Sequence, residues 1–257
     1  MLFGVIGGTG FYRLTDASEA ERIGVETRYG PVCVEGTRLG DVEIAFLPRH
    51  GAGHNVPPHR VNYRANIAAL KQLGITGILA SAAVGSLSET MPPGSLAILT
   101  QFLDFTRSRP TTFYDGESGE VVHVDMSDPY CPHLRGELEA AADALGERVL
   151  SEATYVCAEG PRFETPAEIR MFRLLGGDLV GMTNVPEVVL AREAGICYAA
   201  VAVVTNWAAG VSNEPIKHGE VSGFMDQQTP RLRALFEKVI VGHREIACSC
   251  RASCAGM

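Results

Sequence analysis

The run from Tyr198 to Thr205 (Tyr-Ala-Ala-Val-Ala-Val-Val-Thr) constrains the fold more than any other part of the chain. It is nearly continuous in apolar residues and rich in valine, which is typical of a strand that is buried on both faces of a sheet. A sheet buried on both faces requires helices packed against it. The run therefore predicts an α/β fold.

Shorter apolar runs predict further strands, and two of them lead into small residues. Residues 3–7 lead into Gly7-Gly8-Thr9-Gly10, and residues 77–80 lead into a predicted loop over 81–86. Backbone N–H groups in such loops can bind an anion, and the Thr9 hydroxyl adds a donor. The first motif matches neither the dinucleotide-binding nor the NTP-binding glycine pattern. The remaining predicted strands cover residues 32–34, 42–47, 95–99 and 178–182.

Apolar residues at helical spacing predict the helices that pack on this sheet. The predicted helix over 133–145 carries four apolar residues on one face: Leu134, Leu138, Ala141 and Leu145. A long loop from Thr106 to Asp128 contains His123, and loops of this length are usually functional or interfacial. The other predicted helices cover residues 62–70, 187–194 and 229–241.

The segment from Glu159 to Glu168 combines a turn with a helix start. Gly-Pro forces the turn, and Thr165-Pro166-Ala167-Glu168 has the pattern of a capping box with proline at the first helical position. Phe163 and Glu164 precede this helix, where a ring can stack on a flat ligand and a carboxylate can accept a hydrogen bond from the ligand's edge. The alternative is that Phe163 is a core residue and Glu164 only complements the helix dipole.

Two other positions at predicted strand ends are candidates for chemistry. Arg49 and His50 follow the strand over 42–47, and Arg49 could bind a phosphate through two parallel charge-assisted hydrogen bonds. The alternative is a surface arginine beside a loop histidine. Asn206 ends the long apolar run, where an asparagine is by default a turn residue.

Composition narrows the class of protein. The chain has 257 residues, of which 46% are hydrophobic, with a net charge of −8 and a pI near 5.4. The negative charge argues against binding to nucleic acid or to an anionic membrane. The sequence has no basic-apolar signal peptide and no run long enough to span a membrane, so a soluble, cytoplasmic protein is expected. Without repeats or a linker, residues 1–244 are predicted to form one domain, followed by a cysteine-containing tail over 245–257.

The seven cysteines fall into two groups. Four lie in apolar surroundings and are expected to be buried or inert: Cys33, Cys131, Cys157 and Cys197. The others are Cys248, Cys250 and Cys254, which crowd the tail. They could form a redox pair, belong to a metal site with His243 as the only other ligand nearby in sequence, or be dispensable. Their spacing fits no standard zinc pattern.

Several motifs together resemble one known family. The chain is similar over residues 3–240, in collinear order, to the methylthioadenosine phosphorylase branch of the trimeric purine nucleoside phosphorylases. The motifs that carry the resemblance are Gly7-Gly8-Thr9-Gly10, Pro48-Arg49-His50-Gly51, Val61-Asn62-Tyr63-Arg64-Ala65-Asn66, Tyr114-Asp115-Gly116, Asp128-Pro129-Tyr130-Cys131-Pro132, Glu159-Gly160-Pro161-Arg162-Phe163 and Gly181-Met182-Thr183-Asn184-Val185-Pro186-Glu187.

The resemblance implies a single α/β domain with a mixed, partly barrel-like central sheet flanked by helices, assembled as a homotrimer or a dimer of trimers. The family reaction is phosphorolysis, in which a purine nucleoside and phosphate give the purine base and a pentose 1-phosphate. It implies small-molecule substrates and inorganic phosphate as co-substrate, with no metal or organic cofactor.

The resemblance also implies roles for individual residues. The phosphate site corresponds to Thr9, Arg49, His50, Thr183 and the backbone of Ala83. Substrate contacts correspond to Met182 at the ribose, to Phe163 at the base or sugar, and to His123 in the 5′ pocket of a neighbouring subunit. Ala82 departs from the family pattern, because relatives often carry a threonine there whose hydroxyl helps to hold phosphate.

Glu164 and Asn206 favour a 6-oxopurine base. Family members specific for 6-aminopurines carry Asp where this chain has Asn206, with a second Asp at the position of Ala208. Asn206 can donate to O6 and accept from a protonated N7, while Glu164 accepts from N1–H, which neutral adenine lacks. Each mismatched buried polar group costs about 1–3 kcal/mol. We therefore expect Glu164, Asn206 and His50 to be the catalytic residues of a phosphorylase acting on inosine- or guanosine-type nucleosides in purine salvage.

The 5′ group of the substrate is less constrained. His218 aligns with a histidine that ordinary purine nucleoside phosphorylases use to contact the ribose 5′-hydroxyl, whereas methylthio-nucleoside enzymes tend to have an apolar residue there. The alternative is a solvated loop histidine, so methylthioinosine and methylthioadenosine stay open as substrates. A nucleoside-binding protein without turnover is a further alternative. The tail pair Cys248 and Cys250 resembles a disulfide motif of some heat-stable relatives.

Overall fold

The apolar run from Tyr198 to Thr205 forms the strand predicted for it. Strand β9 (Cys197–Trp207) is buried along its whole length except at its last two residues. It runs between two layers of helices, as expected for a strand with apolar side chains on both faces.

A computed structural model describes residues 2–12, 14, 20–51, 53–117, 119–212, 218–243 and 248–252. The other strands of the described chain are β1 (Leu2–Gly7), β2 (Glu21–Thr27), β3 (Gly30–Leu39), β4 (Val42–Pro48), β5 (Gly77–Ser86), β6 (Leu96–Phe105), β7 (Val149–Ala158) and β8 (Leu179–Gly181). The helices are α1 (Tyr63–Gln72), α2 (Pro132–Leu145), α3 (Pro166–Leu174), α4 (Asn184–Glu193), α5 (His218–Gly242) and α6 (Ser249–Ala252), with a 3₁₀ turn at Pro58–Arg60.

The strands form one mixed sheet in the order β2-β3-β4-β1-β5-β8-β7-β6-β9. Strand β9 also pairs with β5, so the five strands β5, β8, β7, β6 and β9 close into a barrel. The first four strands extend from one side of that barrel. This arrangement confirms the predicted α/β domain with a mixed, partly barrel-like sheet.

Two hydrophobic layers cover the sheet. One contains the apolar faces of α1 and α4, including Ile67 and Val188. The other contains the apolar faces of α2 and α5, including Leu138 and Phe236. Leu134, Leu138 and Ala141 are buried as predicted, but Leu145 is 41% exposed because α2 ends at that residue.

Other expectations from the sequence are wrong in detail. The small residues at 81–86 continue strand β5 rather than forming a loop, since their side chains let β5 lie between neighbouring strands. Helix α5 begins at His218, eleven residues before the predicted Thr229, and contains Pro230. Cys33 is exposed, because it lies on the solvent face of β3. Strands β2 and β7 were not predicted, whereas the long loop after β6 has neither helix nor strand in its described residues.

Within the described residues, no helix is both long enough and apolar enough to cross a membrane.

Candidate active site

A cavity of about 440 Å³ opens at one edge of the sheet. Strands β1, β4, β5 and β9 run parallel, so all four end on this side. Crevices at the carboxyl ends of parallel strands are the usual ligand sites of α/β folds. The lining residues are Gly8, Thr9, Arg49, His50, His54, Asn55, Val56, Pro57, Pro58, Ala83, Val84, Gly85, Pro161, Phe163, Glu164, Val180, Gly181, Met182, Thr183, Thr205, Asn206, Ala208 and Val221.

Arg49 is fixed at the inner end of this cavity. Its Nε and Nη2 each donate to the carboxylate of Glu187 at 2.7 Å, and its Nη1 donates to the Ser81 carbonyl at 2.9 Å. These bonds engage three of the five guanidinium N–H donors, which leaves two for a ligand among the described contacts. A Cβ on Gly8 would lie 2.8 Å from Nη1, so only glycine fits there. One parallel pair of bonds is therefore made to Glu187, and one N–H on each of Nη1 and Nη2 remains for the predicted phosphate contact.

A buried hydrogen-bond network holds Glu187 in turn. The Tyr198 hydroxyl donates to Glu187 at 2.6 Å and accepts from the Asn184 amide at 3.2 Å. Tyr130 donates to the other end of the Asn184 amide at 2.6 Å. Because every member is buried, the network orients Arg49 before any ligand arrives.

His50 is a neutral side chain in this site. Burial, followed by the positive charge of Arg49, lowers the pKa of His50 from 6.5 to about 4. Its Nδ1 lies 2.8 Å from the Val56 carbonyl oxygen, which can only accept, so Nδ1 carries the proton. The Nε2 atom is then a hydrogen-bond acceptor. His50 therefore offers an acceptor to a ligand hydroxyl and does not add positive charge.

Thr183 directly precedes helix α4 and is largely buried. Its backbone N–H donates to the Tyr155 hydroxyl at 3.1 Å, which fixes the position of the residue. Its side chain makes no capping hydrogen bond to α4, although it stands at the N-cap position. The hydroxyl is thus available to a ligand, as is that of Thr9 in the loop after β1.

The helix start at Thr165 has the predicted capping box. The Thr165 hydroxyl accepts from the Glu168 N–H at 3.2 Å, and the Glu168 carboxylate accepts from the Thr165 N–H at 2.7 Å. Two bonds to Arg162 add to these, and Arg162 is the main reason that the pKa of Glu168 falls to about 2. The acidic residue that completes this helix start is therefore Glu168.

Glu164 has a different environment. Its side chain is only 8% exposed, and its Oε1 atom is buried without a hydrogen-bond partner among the described residues. Burial raises the pKa of this carboxyl. A buried carboxylate oxygen that lacks a donor costs stability, and such groups cluster where a ligand supplies the donor. Phe163 beside it is 38% exposed and lines the cavity, so it is not the core residue of the alternative reading.

Asn206 lines the same cavity from the end of β9. Its Nδ2 donates to the Trp207 carbonyl at 2.8 Å, and its Oδ1 accepts from the Thr205 hydroxyl at 2.8 Å. These bonds fix the orientation of the amide. Each end retains capacity for one more hydrogen bond, a donor on Nδ2 and an acceptor on Oδ1.

Arg109 connects the two halves of the cavity wall from the long loop after β6. It donates to the carbonyl oxygens of Met182 at 2.7 Å, Val185 at 2.9 Å and Glu159 at 2.6 Å. The Arg109 side chain is 1% exposed, so a buried guanidinium makes these charge-assisted bonds. They hold the segment that carries Phe163 against the segment that carries Thr183.

Comparison with known proteins places this site in a family. The sequence model of the phosphorylase superfamily matches residues 2–241. The chain belongs to this superfamily. A relative from Dictyoglomus turgidum named "Probable 6-oxopurine nucleoside phosphorylase" is 53% identical, covering 93% of this chain and 91% of the relative. Another from Methanopyrus kandleri, named "Probable S-methyl-5'-thioinosine phosphorylase", is 52% identical, covering 92% and 91%.

A solved structure is also similar to this phosphorylase. It is a methylthioadenosine phosphorylase from Schistosoma mansoni in complex with adenine, with a TM-score of 0.89 and 36% identity. The match covers 94% of this chain and 91% of that one. The fold of the phosphorylase is thus shared with a solved member of its family.

Most of the site residues predicted from the sequence line the cavity described above. They are Thr9, Arg49, His50, Ala83, Phe163, Glu164, Met182, Thr183, Asn206 and Ala208. His123 is exposed on the long loop and does not line it, and the side chain of His218 lies outside the described residues. Ala82 packs in the core and is 2% exposed. Sequence reasoning missed His54, Val221 and Glu187, of which Glu187 gave a signal only as part of the family motif.

Proposed function

We propose that this phosphorylase cleaves 6-oxopurine nucleosides of the inosine and guanosine type. Phosphate attacks C1′ from the face opposite the base, a C1′–O bond forms, and the bond from C1′ to the purine nitrogen breaks. The products are the purine base and ribose 1-phosphate, and no cofactor takes part. The observation that carries the proposal is the buried Glu164 Oε1, which has no described donor and lines a cavity shared with an anchored arginine.

The phosphate half of the site consists of Thr9, Arg49, Thr183, His50 and the backbone at Ala83. Arg49 donates its two remaining N–H bonds, and the threonine hydroxyls donate to further oxygens. Because Glu187 already balances the charge of Arg49, the negative charge of phosphate stays available to the oxocarbenium-like transition state. His50 accepts from a hydroxyl of the phosphate or the ribose.

The base half of the site consists of Phe163, Glu164 and Asn206. Glu164 accepts from purine N1–H through Oε1, which removes the unsatisfied acceptor. The second N–H of Asn206 donates to O6, and Oδ1 accepts from N7–H once the leaving purine has taken a proton from solvent. The exposed ring of Phe163 stacks on the base or the sugar.

The second candidate substrate is 5′-methylthioinosine. The relative from Dictyoglomus turgidum is 53% identical to this chain and is named for 6-oxopurine nucleosides. The relative from Methanopyrus kandleri is 52% identical and is named for methylthioinosine. Both substrates have a 6-oxopurine base. Met182 contacts the ribose in either case. The proposed 5′ contacts are His218 of the same chain and His123 of the partner subunit, and Ala208 lies on the base side.

We further propose that the enzyme acts in the cytoplasm as a homotrimer or a dimer of trimers. Exposed apolar side chains at the end of helix α3 and on the long loop support contacts with other subunits: Val121 is 76%, Leu174 is 88% and Leu175 is 55% exposed. His123 lies on that same loop, two residues from Val121.

A panel of initial rates tests the proposal. Inosine, guanosine, adenosine, methylthioadenosine and methylthioinosine are each assayed with and without phosphate, and release of base is followed. We expect phosphate-dependent cleavage, with inosine or guanosine preferred. A higher kcat/KM for methylthioinosine than for inosine selects the second candidate. Preference for methylthioadenosine overturns the base assignment, and binding without release of base would indicate a protein that has lost turnover.

A further inference from the structure

Four cysteines that are far apart in sequence meet at one place in the fold. Cys131 precedes helix α2, Cys197 begins strand β9, and Cys248 and Cys250 belong to the tail. Their sulfur atoms all lie within 4.8 Å of one another, and Cys131 Sγ is 3.6 Å from Cys248 Sγ. All four are present as thiols. The cluster lies outside the cavity that carries the proposed activity.

The dimensions of the cluster match those of a tetrahedral thiolate site. A Zn–S bond length of about 2.3 Å places the sulfurs of a regular ZnS₄ tetrahedron about 3.8 Å apart. The sulfurs of this cluster need to move little to reach that spacing. Four thiolates, with no oxygen or nitrogen donor in the group, favour a thiophilic ion over magnesium or calcium.

The surroundings suit a closed structural site. Cys131, Cys197 and Cys250 are buried, and Cys248 is partly buried. Cys131 occupies the N-cap position of α2, so its sulfur lies at the positive end of a helix of fourteen residues. Arg192 interacts electrostatically with Cys250 and would offset part of the negative charge of four thiolates.

We propose that Cys131, Cys197, Cys248 and Cys250 bind one zinc ion, which anchors the C-terminal tail to the core of the domain. On binding, the four thiols lose their protons to solvent and four Zn–S bonds form, with no oxidation or reduction. The ion then links the tail residues Cys248 and Cys250 to the start of α2 and of β9. The site is structural, because all four ligand positions are taken by protein.

Two other arrangements are outcomes of the test. Under oxidation the same cysteines could pair as disulfides, each of which removes two hydrogen atoms from the chain. The group of His133, Glu137 and His243 could also hold an ion, although the His243 Nδ1 already lies 2.6 Å from the Glu137 carboxylate. Variants of the tail cysteines separate both arrangements from the proposed site.

The experiment measures zinc in the full chain purified with a reductant and desalted after zinc loading. We expect one zinc per chain by elemental analysis, falling to near zero in the double variant C248S/C250S. The controls Cys33→Ser and His133→Asn should retain the metal, because the exposed Cys33 is outside the cluster and His133 belongs to the other group. Cobalt in place of zinc should give the intense visible absorption of a tetrahedral thiolate site.

Zinc removal or C248S/C250S should lower the Tm and leave kcat for inosine unchanged, because neither tail cysteine lines the cavity. Zinc retained by the double variant, or absent from the reduced wild type, overturns the proposal. A wild-type mass that is lower by the hydrogens of a disulfide, in protein without metal, would assign the cluster to disulfide bonds instead.

Discussion

Replacing Glu164 by glutamine should lower activity on 6-oxopurines and raise the stability of the protein. The carboxyl oxygen Oε1 is buried without a described donor, so the ligand-free protein carries an unsatisfied acceptor there. A charge-assisted hydrogen bond contributes about 1.5–3 kcal/mol, of which glutamine retains the weaker neutral part. We expect kcat/KM for inosine to fall roughly ten- to hundredfold. The adenosine-to-inosine ratio should rise, because the glutamine NH₂ can donate to adenine N1.

The stability gain from Glu164→Gln should be about 1 kcal/mol, which corresponds to roughly 2–4 °C in the Tm of the ligand-free protein. It should also depend on pH. Burial raises the pKa of Glu164, so its protonated form contributes stability below the ordinary carboxyl pKa, and this contribution is lost as pH rises through the raised pKa. The difference in Tm between variant and wild type should therefore be larger at neutral pH than in acid.

Glu168→Gln is the matched control on the same segment. Its carboxylate caps helix α3 and pairs with Arg162, and these contacts lower its pKa to about 2. That variant should keep the activity on inosine and lose stability at neutral pH, the opposite of Glu164→Gln. Thermal melts and inosine kinetics on both variants test the reasoning. Full inosine activity in Glu164→Gln would refute contact between Glu164 and the base.

Three further predictions follow from the site. Asn206→Asp should raise adenosine activity relative to inosine and lower the Tm, since an acceptor would replace the amide that donates to the Trp207 carbonyl; an unchanged substrate ratio would place Asn206 away from the base. In an NMR titration, with the signal assigned by a His50→Asn variant, His50 should titrate near pH 4, and a midpoint near 6.5 would contradict its burial. The stability from neutral His50, complete above pH 6.5, should be lost as pH falls toward 4. Arg109→Met should cost about 3 kcal/mol in free energy of unfolding and raise the KM for phosphate, because three buried or partly buried carbonyls lose their donor. The exposed Arg107→Met should change neither.

Short sequence patterns correctly predicted the strands and helix starts that depend on neighbouring residues alone. The apolar run at 198–205 became β9, and Thr165 with Glu168 formed the capping box. The predicted helix start at Thr229 is wrong, because Gly223 and the polar residues around it weaken the helical pattern in the sequence. Packing against the rest of the domain nevertheless makes residues from His218 onward helical. The loop predicted over 81–86 is also wrong, because pairing with β9 keeps these small residues in an extended strand.

Site residues that belong to one sequence motif could be predicted. Contacts between residues far apart in the sequence could not. The family resemblance supplied the residues that line the cavity, including Phe163 and Met182. The partner of Arg49 lies 138 positions away in sequence, and the cysteines that meet Cys248 come from the middle of the chain. Pairings of this kind depend on the closed barrel, which no local window of sequence describes.

The ion pair between Arg49 and Glu187 has a consequence for how phosphate reaches the enzyme. The pair is close to neutral when seen from a distance, and the whole chain carries a charge of −8. Long-range attraction therefore cannot accelerate the arrival of an anion, so the association rate should not fall as the ionic strength rises. Selection among anions must then occur after contact, through the number and direction of hydrogen bonds. Arsenate, which has the same shape and protonation as phosphate, should be accepted, while planar nitrate should compete poorly at any salt concentration.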